Sequence, residues 1–316
     1  MNYEPFVKNV SADQIILNED FDINAPFIAS VLPDSIKKIG IITPLTVFTE
    51  NESYVLLDGF QRLRVARKLN VKKVPVIIIK QTPSFEELID LRHELQRSVT
   101  EEPNVLQKAR IFKLILNYIE DEQKREKWRQ RLKLPKGNRI LAVLGWPENA
   151  QLYLIKYHLS FNQIKTFLDY KKEDIEALFD FAATLSMRAV ELLKLSELIS
   201  EITMNEDKSV KSLLAEEQIK KILNNDEINR NQKTVILKDL FYQRRFPLVS
   251  AYRNEMNKLI KNLKKSAFSV SYDKNFERSG VQLNAQLKNK EDLYNLINAL
   301  RNSETENLLT EMLKRI

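Results

Sequence analysis

The sequence predicts an α+β protein in three parts. A small mixed-sheet domain occupies residues 1–98 and an all-helical domain 99–204. A linker or helical connection at 205–245 then leads to a helix with a ββα module over 246–316. Three observations carry this prediction. Strand-like alternation is confined to residues 41–79 and 268–287, the long middle follows a helical period, and the whole chain holds only five glycines, too few for an architecture of many tight turns. With 316 residues, 43% of them hydrophobic and 29% charged, the chain is long enough for two or three ordinary cores, and no internal repeat or low-complexity tract is evident.

Taken in order, Leu32 to Gly40 reads as a short helix, with Pro33 near its first position, Leu32, Ile36 and Ile39 on one face, and glycine as its stop. Two strands follow, Ile41 to Phe48 and Ser53 to Leu57, around the polar turn Glu50-Asn51-Glu52. Leu56-Leu57-Asp58-Gly59-Phe60-Gln61-Arg62-Leu63-Arg64 then places a lone glycine between an apolar strand and a helix whose first turns carry arginine. Backbone N–H groups at such a helix start approach an anion closely, and guanidinium groups match phosphate oxygens. Arg62 and Arg64 also fit plain surface cations on an amphipathic helix. Val74 to Ile79 makes a further apolar strand, and beyond Thr100-Glu101-Glu102-Pro103 a helix carries Val105, Ala109, Phe112, Leu116 and Ile119 on one stripe.

The order Gly-Ile-Ile-Thr-Pro at 40–44, Asp-Gly-Phe-Gln-Arg-Leu-Arg-Val-Ala at 58–66 and His-Glu-Leu-Gln-Arg at 93–97 resembles the N-terminal domain of the ParB partition proteins. Those proteins carry a G-I-hydrophobic-Q-P box, a GERRxRA box and an ENxQR box at matching spacing. The resemblance implies a ParB/sulfiredoxin-like N-terminal fold that binds CTP (or ATP) with Mg²⁺ and acts as a switch that clamps a dimer around DNA. By position, Thr43 would sit near the triphosphate. Gly59, Gln61, Arg62 and Arg64 would cradle phosphates, with Gln96 and Arg97 beside them. Phe60 and Gln61 depart from the family's Glu-Arg pair, and His93 and Glu94 from its Glu-Asn pair. Glu94 is then the residue left to hold Mg²⁺ and to serve a weak CTPase. Two other readings stay open. Related enzymes with an Asp-Gly-x-x-Arg loop make a small-molecule kinase or phosphotransferase, with Asp58 or Glu94 as metal ligand or base, and the altered boxes also fit an adaptor without nucleotide.

Composition excludes other chemistry. The absence of cysteine rules out thiol nucleophiles, zinc ribbons and disulfides, and separates the chain from sulfiredoxin, whose reactive cysteine stands where Phe60 does. Two histidines argue against a histidine metal site. The absence of a long apolar run and of a basic-then-apolar start predicts a cytoplasmic, nucleoid-associated protein with no membrane partner.

The chain's formal charge is +7, and residues 124–139, with eight basic side chains and one acidic, hold a local net charge of the same size. Such a segment neutralises phosphates, or else is one solvated helix face. Arg129, Arg131, Lys133, Lys136, Asn138 and Arg139 are the predicted DNA contacts. Two short helices, Leu132 to Pro135 and Ile140 to Pro147, would form a helix-turn-helix around Pro135 to Asn138. Leu159-Ser160-Phe161-Asn162-Gln163 and Leu185-Ser186-Met187-Arg188 resemble later ParB elements, but the family's usual turn sequence is missing, so contacts to the DNA backbone are expected rather than base reading.

In the tail, Phe268, Val270 and Tyr272 alternate, as do Val281, Leu283, Ala285 and Leu287, with Asp273 to Gly280 as the turn between them. A helix from Glu291 follows, with Leu293, Leu296, Ile297 and Leu300 expected inward. A lone hairpin and helix bury too little to stand alone. The ββα tail resembles the ParB dimerisation module, which implies a homodimer. The partition reading also implies a ParA-type ATPase as partner.

Overall fold

The computed structural model describes residues 6–24, 31–79, 83–100, 102–263, 267–273 and 278–315. The chain divides into two compact units, Met1–Leu193 and Lys194–Ile316.

The first unit contains strands β1 (Phe6–Ser11), β2 (Ile15–Ile16), β3 (Leu45–Glu50), β4 (Ser53–Asp58) and β5 (Lys73–Ile79). Its helices are α1 (Leu32–Ile39), α2 (Phe60–Lys68), α3 (Phe85–Arg97), α4 (Val105–Tyr118), α5 (Glu122–Arg131), α6 (Glu148–Lys156), α7 (Phe161–Ile164) and α8 (Lys172–Thr184). A 3-10 stretch, Arg139–Gly145, lies between α5 and α6, and α9 (Ala189–Glu206) runs across the boundary between the units.

The five strands form one mixed sheet in the order β1-β5-β3-β4-β2. β3 and β4 are an antiparallel hairpin, β5 runs parallel to β3, and β1 closes one edge antiparallel to β5. The hairpin turn is only Asn51-Glu52, both at positive φ (47° and 62°), the backbone that matches the twist of the flanking strands. Leu45, Val47, Leu56, Leu57 and Val76 of the sheet and Leu63 and Ala66 of α2 are fully buried. The two edge strands escape sequence reading, because β1 mixes Lys8 and Asn9 into its apolar residues and β2 is too short to show a period.

Helix starts follow local chemistry. Ser84 and Glu87 form a capping box on α3, and Asn104 and Gln107 one on α4, where Asn104 Oδ1 accepts from the Leu106 and Gln107 amides at 3.0 Å. The expected helix Leu132 to Pro135 does not form: Leu132 caps α5 and Lys133 turns to a positive φ of 54°. The expected second helix, Ile140 to Pro147, is instead the 3-10 stretch Arg139–Gly145, followed by Trp146-Pro147 and α6.

The second unit holds α10 (Val210–Leu214), α11 (Glu217–Leu223), α12 (Arg230–Arg245), α13 (Pro247–Leu263), β6 (Ser269–Tyr272), β7 (Val281–Asn284), α14 (Lys290–Leu300) and α15 (Ser303–Lys314). Residues 205–245, linker-like in composition, are packed helix, with Val210, Leu213, Ile219, Leu237 and Phe241 buried. In the tail, Met256, Leu259, Leu263 and Met312 form a core that Val270, Tyr272 and Val281 of the hairpin cover. α14 behaves differently from expectation. It buries no residue, and Leu293 and Leu300 are exposed, because α15 rather than α14 covers α13. Of the expected turn Asp273 to Gly280, residues 274–277 lie outside the described residues, as do the chain start at 1–5 and Glu101. Among the described residues no helix is long and apolar enough to cross a membrane.

Candidate functional site

α2 begins at Gly59, whose φ of +102° is a conformation other residues rarely hold. A Cβ there would stand 2.5 Å from the buried Leu45 Cδ2 and 3.3 Å from Arg62 Nη2, so the site also needs glycine for room. At this helix start lies a cavity of about 500 Å³. The head of α2 contributes Asp58, Gly59, Gln61 and Arg62 to its wall. α3 adds Arg92 and Gln96, and α4 adds Asn104, Gln107 and Arg110. Phe60 is buried in the wall and does not fill the opening.

Arg62 stays at Gly59. Its Nη1 donates to the carbonyls of Thr43 and Pro44, and its Nη2 pairs with Asp58 at 2.9 Å. Thr43 thus meets the site through its backbone. Arg64 does not face the cavity: it pairs with Asp22 and, at 2.5 Å, with Glu19. Two residues turn a helix by about 200°, so Arg62 and Arg64 project to opposite sides. Desolvation works against the charge on Arg64, but the hydrogen bonds and charges of Asp22 and then Glu19 together outweigh it and the pKa rises.

The end of α3, from Arg92 through the third box at 93–97, splits in the same way. Arg92 and Gln96, four apart, face the cavity, whereas His93, Glu94 and Arg97 face α5. Glu94 pairs with Arg97 at 3.2 Å and with Arg131 at 2.5 Å. Desolvation alone would raise its pKa, yet the hydrogen bonds from Arg131 and then Arg97 hold it below the usual carboxylate range. A carboxylate engaged by two guanidinium groups, on the helix face away from Gly59, is placed neither as a base nor as a magnesium ligand there. Among the described residues no group of three or more acidic or histidine side chains is placed to hold a metal ion. The residues present therefore do not fit a metal at Glu94. Arg97 likewise lies outside the cavity wall, in a neighbouring basic recess with Lys108 and Arg131. His93 is held below its ordinary pKa by burial first and the Arg131 charge second.

Sequence reasoning passed over Arg92, Arg110, Asn24 and Gln107. Asn24 donates to Gln96 Oε1 at 3.1 Å and accepts from Gln107 Nε2 at 2.6 Å, which ties α3 to α4. Arg110 donates to the Ile23 carbonyl and the Gln151 side chain. The available signal was the four-residue spacing of Arg92 and Gln96 on one helix.

The basic segment divides into internal and external charges. Arg129 is buried, donates to the carbonyls of Pro135 and Gly137, and lies over the Phe112 ring at 4.8 Å. It braces the loop after α5 and is out of reach of a phosphate, contrary to expectation. Arg131 lies over Trp128 and pairs with Asp90 and Glu94. Lys133, Lys136, Asn138 and Arg139 are exposed on the loop 133–139, with Arg139 paired to Asp169 at 2.6 Å. α6 offers solvent little cationic charge, since Lys156 is its only basic residue.

Comparison with known proteins gives four findings. Residues 7–95 match the family model of the ParB N-terminal domain. Over 183 residues the chain is 27% identical to stage 0 sporulation protein J of Bacillus subtilis, a match that takes in 57% of this chain and 62% of that protein, less than two thirds of the relative's length. The C-terminally truncated chromosome-partitioning protein ParB from Caulobacter crescentus, complexed with CTP-γ-S, is similar over 53% of this chain and 94% of that one, at 17% identity and a TM-score of 0.26. The same protein complexed to the centromeric parS site is similar over 60% and 97%, at 19% identity and a TM-score of 0.28.

Proposed function

From the ParB N-terminal domain at residues 7–95, we propose that this chain is a nucleotide-gated DNA-binding protein of the partition type that acts as a homodimer. The nucleotide part rests on one observation: the start of α2, with Gly59 and Arg62, opens into the same cavity as Gln96 of α3 and Gln107 of α4. Phosphates at the α2 amides gain from the helix dipole and from Arg62. CTP is the proposed nucleotide, on family resemblance, with ATP as the alternative.

Gating is a population shift. A ligand that contacts Gly59 and Gln96 together favours the α3–α4 arrangement in which the Asn24–Gln96–Gln107 link is made, and so biases the helices beyond it. Lys133, Lys136, Asn138 and Arg139, with Arg131 beside them, offer an exposed cationic loop for DNA phosphates. The uncovered apolar face of α14 provides a surface for a second copy. A partition role carries with it a ParA-type ATPase as partner and a nucleoid-associated place in the cytoplasm. The phosphotransferase reading gains no support at Asp58, which is held between Arg62 and Arg92.

Calorimetric titration with CTP and ATP, with and without duplex DNA, tests this for the natural protein and Arg62→Ala. Nucleotide binding lost in Arg62→Ala, with DNA affinity falling steeply as salt rises, is expected. ATP turnover into a phosphorylated small molecule, or no nucleotide binding at all, contradicts the proposal.

A further inference from the structure

Arg92 is the most deeply buried cation at the cavity, with 1% of its surface exposed. Its Nε donates to the Phe21 carbonyl at 3.1 Å. Its Nη1, however, makes no hydrogen bond, and the nearest carboxylate oxygen, Asp58 Oδ1, lies 3.3 Å away. A buried charge is costly unless it is paired and hydrogen-bonded. Here the pairing is partial, because Asp58 is shared: its other oxygen serves Arg62 at 2.9 Å. One carboxylate thus stands between two guanidinium groups that both line the cavity. Burial also pushes the Arg92 pKa down, against the pull of the Asp58 and Asp22 charges. Gln96, one turn further along α3, faces the same space. Arg110, from α4, adds a third guanidinium to the wall.

We propose that Arg92 is a direct ligand of the bound anion, a second guanidinium that acts with Arg62 on the phosphate chain, and that Asp58 occupies the anion's place while the cavity is empty. The inference rests on the nucleotide-binding reading of this cavity and deepens it. Entry of a polyphosphate replaces one shared carboxylate by several oxygens, so Arg62 and Arg92 both gain full partners. Asp58 then turns towards solvent, which already reaches a quarter of its side chain. The chemical class selected is a chain of two or more phosphates: a single carboxylate already reaches both guanidiniums, so one phosphate group suffices for them, and the α2 amides are left to hold the next phosphate of the chain.

The test is calorimetric titration with inorganic tripolyphosphate and with CTP, in metal-free buffer, on the natural full-length protein, Arg92→Gln, Asp58→Asn and Arg62→Ala. The proposal expects Arg92→Gln to lose about tenfold or more in affinity for both ligands. It also expects Asp58→Asn to bind tripolyphosphate several-fold more tightly, and most of that gain to vanish when Arg92→Gln is added, which a purely structural Arg92–Asp58 pair does not give. Natural affinity in Arg92→Gln alongside loss in Arg62→Ala reduces Arg92 to a brace and overturns the inference while the cavity remains a nucleotide site. No binding by the natural protein overturns the nucleotide reading itself. If Arg92→Gln fails to fold, Asp58→Asn decides: unchanged or weaker tripolyphosphate binding there overturns the proposal.

Discussion

Asn24 donates its side-chain amide to Gln96 Oε1 at 3.1 Å, across a sequence separation of 72. The same Asn24 accepts from Gln107, whose other amide atom caps α4 by accepting from the Asn104 N–H at 2.8 Å. One side chain therefore connects the segment before α1 to the end of α3 and the start of α4.

Replacing Asn24 with alanine removes both bonds and leaves Gln96 Oε1 and Gln107 Nε2 without this partner, although each amide keeps its other bond. Urea denaturation is expected to register a loss of about 1–3 kcal/mol. The rise in melting temperature on adding CTP is expected to shrink, because the link through which the ligand biases the helices is gone.

Gly59→Ala combines a strained φ with a 2.5 Å approach that forces the buried Leu45 side chain to shift. The expected cost is about 1–3 kcal/mol in chemical denaturation, with nucleotide binding weakened through the displaced Arg62. An alanine variant of natural stability would show that the turn relaxes freely.

In the basic segment, stability and DNA binding are expected to separate by residue. Arg129→Ala lowers the melting temperature, because it removes a buried brace of the loop 135–137. Lys136→Ala with Arg139→Ala leaves the melting temperature nearly unchanged but reduces the slope of log affinity against log salt by about two. Fluorescence anisotropy over a salt series measures the second effect.

These separations mark how far the sequence could be read. The hairpin, α2 and α4 were legible because apolar period and turn residues agree locally, and Gly59 declared itself by standing alone between strand and helix. The direction of each arginine was not legible. Arg62, Arg64, Arg92 and Arg129 are alike in type, and only the helix phase and the acids Asp22, Asp58 and Glu126 decide which faces a cavity, a partner or the core. β1 and β2 draw their strand character from neighbours distant in sequence. α14 misled because its apolar period resembles that of a covered helix, while the cover it awaits is not α13.

In the second unit, Arg244 holds both Glu206 and Glu216, each through two hydrogen bonds. The Arg244 hydrogen bonds bring the Glu206 pKa down from 4.5 to about 2. A depressed folded-state pKa means that the charged form favours folding. This contribution is complete above about pH 4.5 and disappears as pH falls towards about 2. The natural protein is expected to lose urea resistance across that window, and Arg244→Met, already lacking the pair, to lose less.

α14 leaves Leu293, Tyr294 and Leu300 at 43%, 63% and 39% exposure. Leu293→Asp with Leu300→Asp is expected to convert a dimer to a monomer in sedimentation at micromolar concentration, with secondary structure preserved because neither side chain belongs to the α13–α15 core. A monomeric natural protein under the same conditions contradicts the dimer proposal.

Arg64 reaches Glu19 and Asp22, and Arg67 donates to the carbonyls of Ala12 and Ile15. The far flank of α2 is thereby riveted to the strip that joins β1 to the turns after β2. A tug on the head of that helix is transmitted to the sheet's outer rim, so trimming the first two dozen residues would slacken the mounting on which Gly59 depends, even though none of the rivets touches a phosphate.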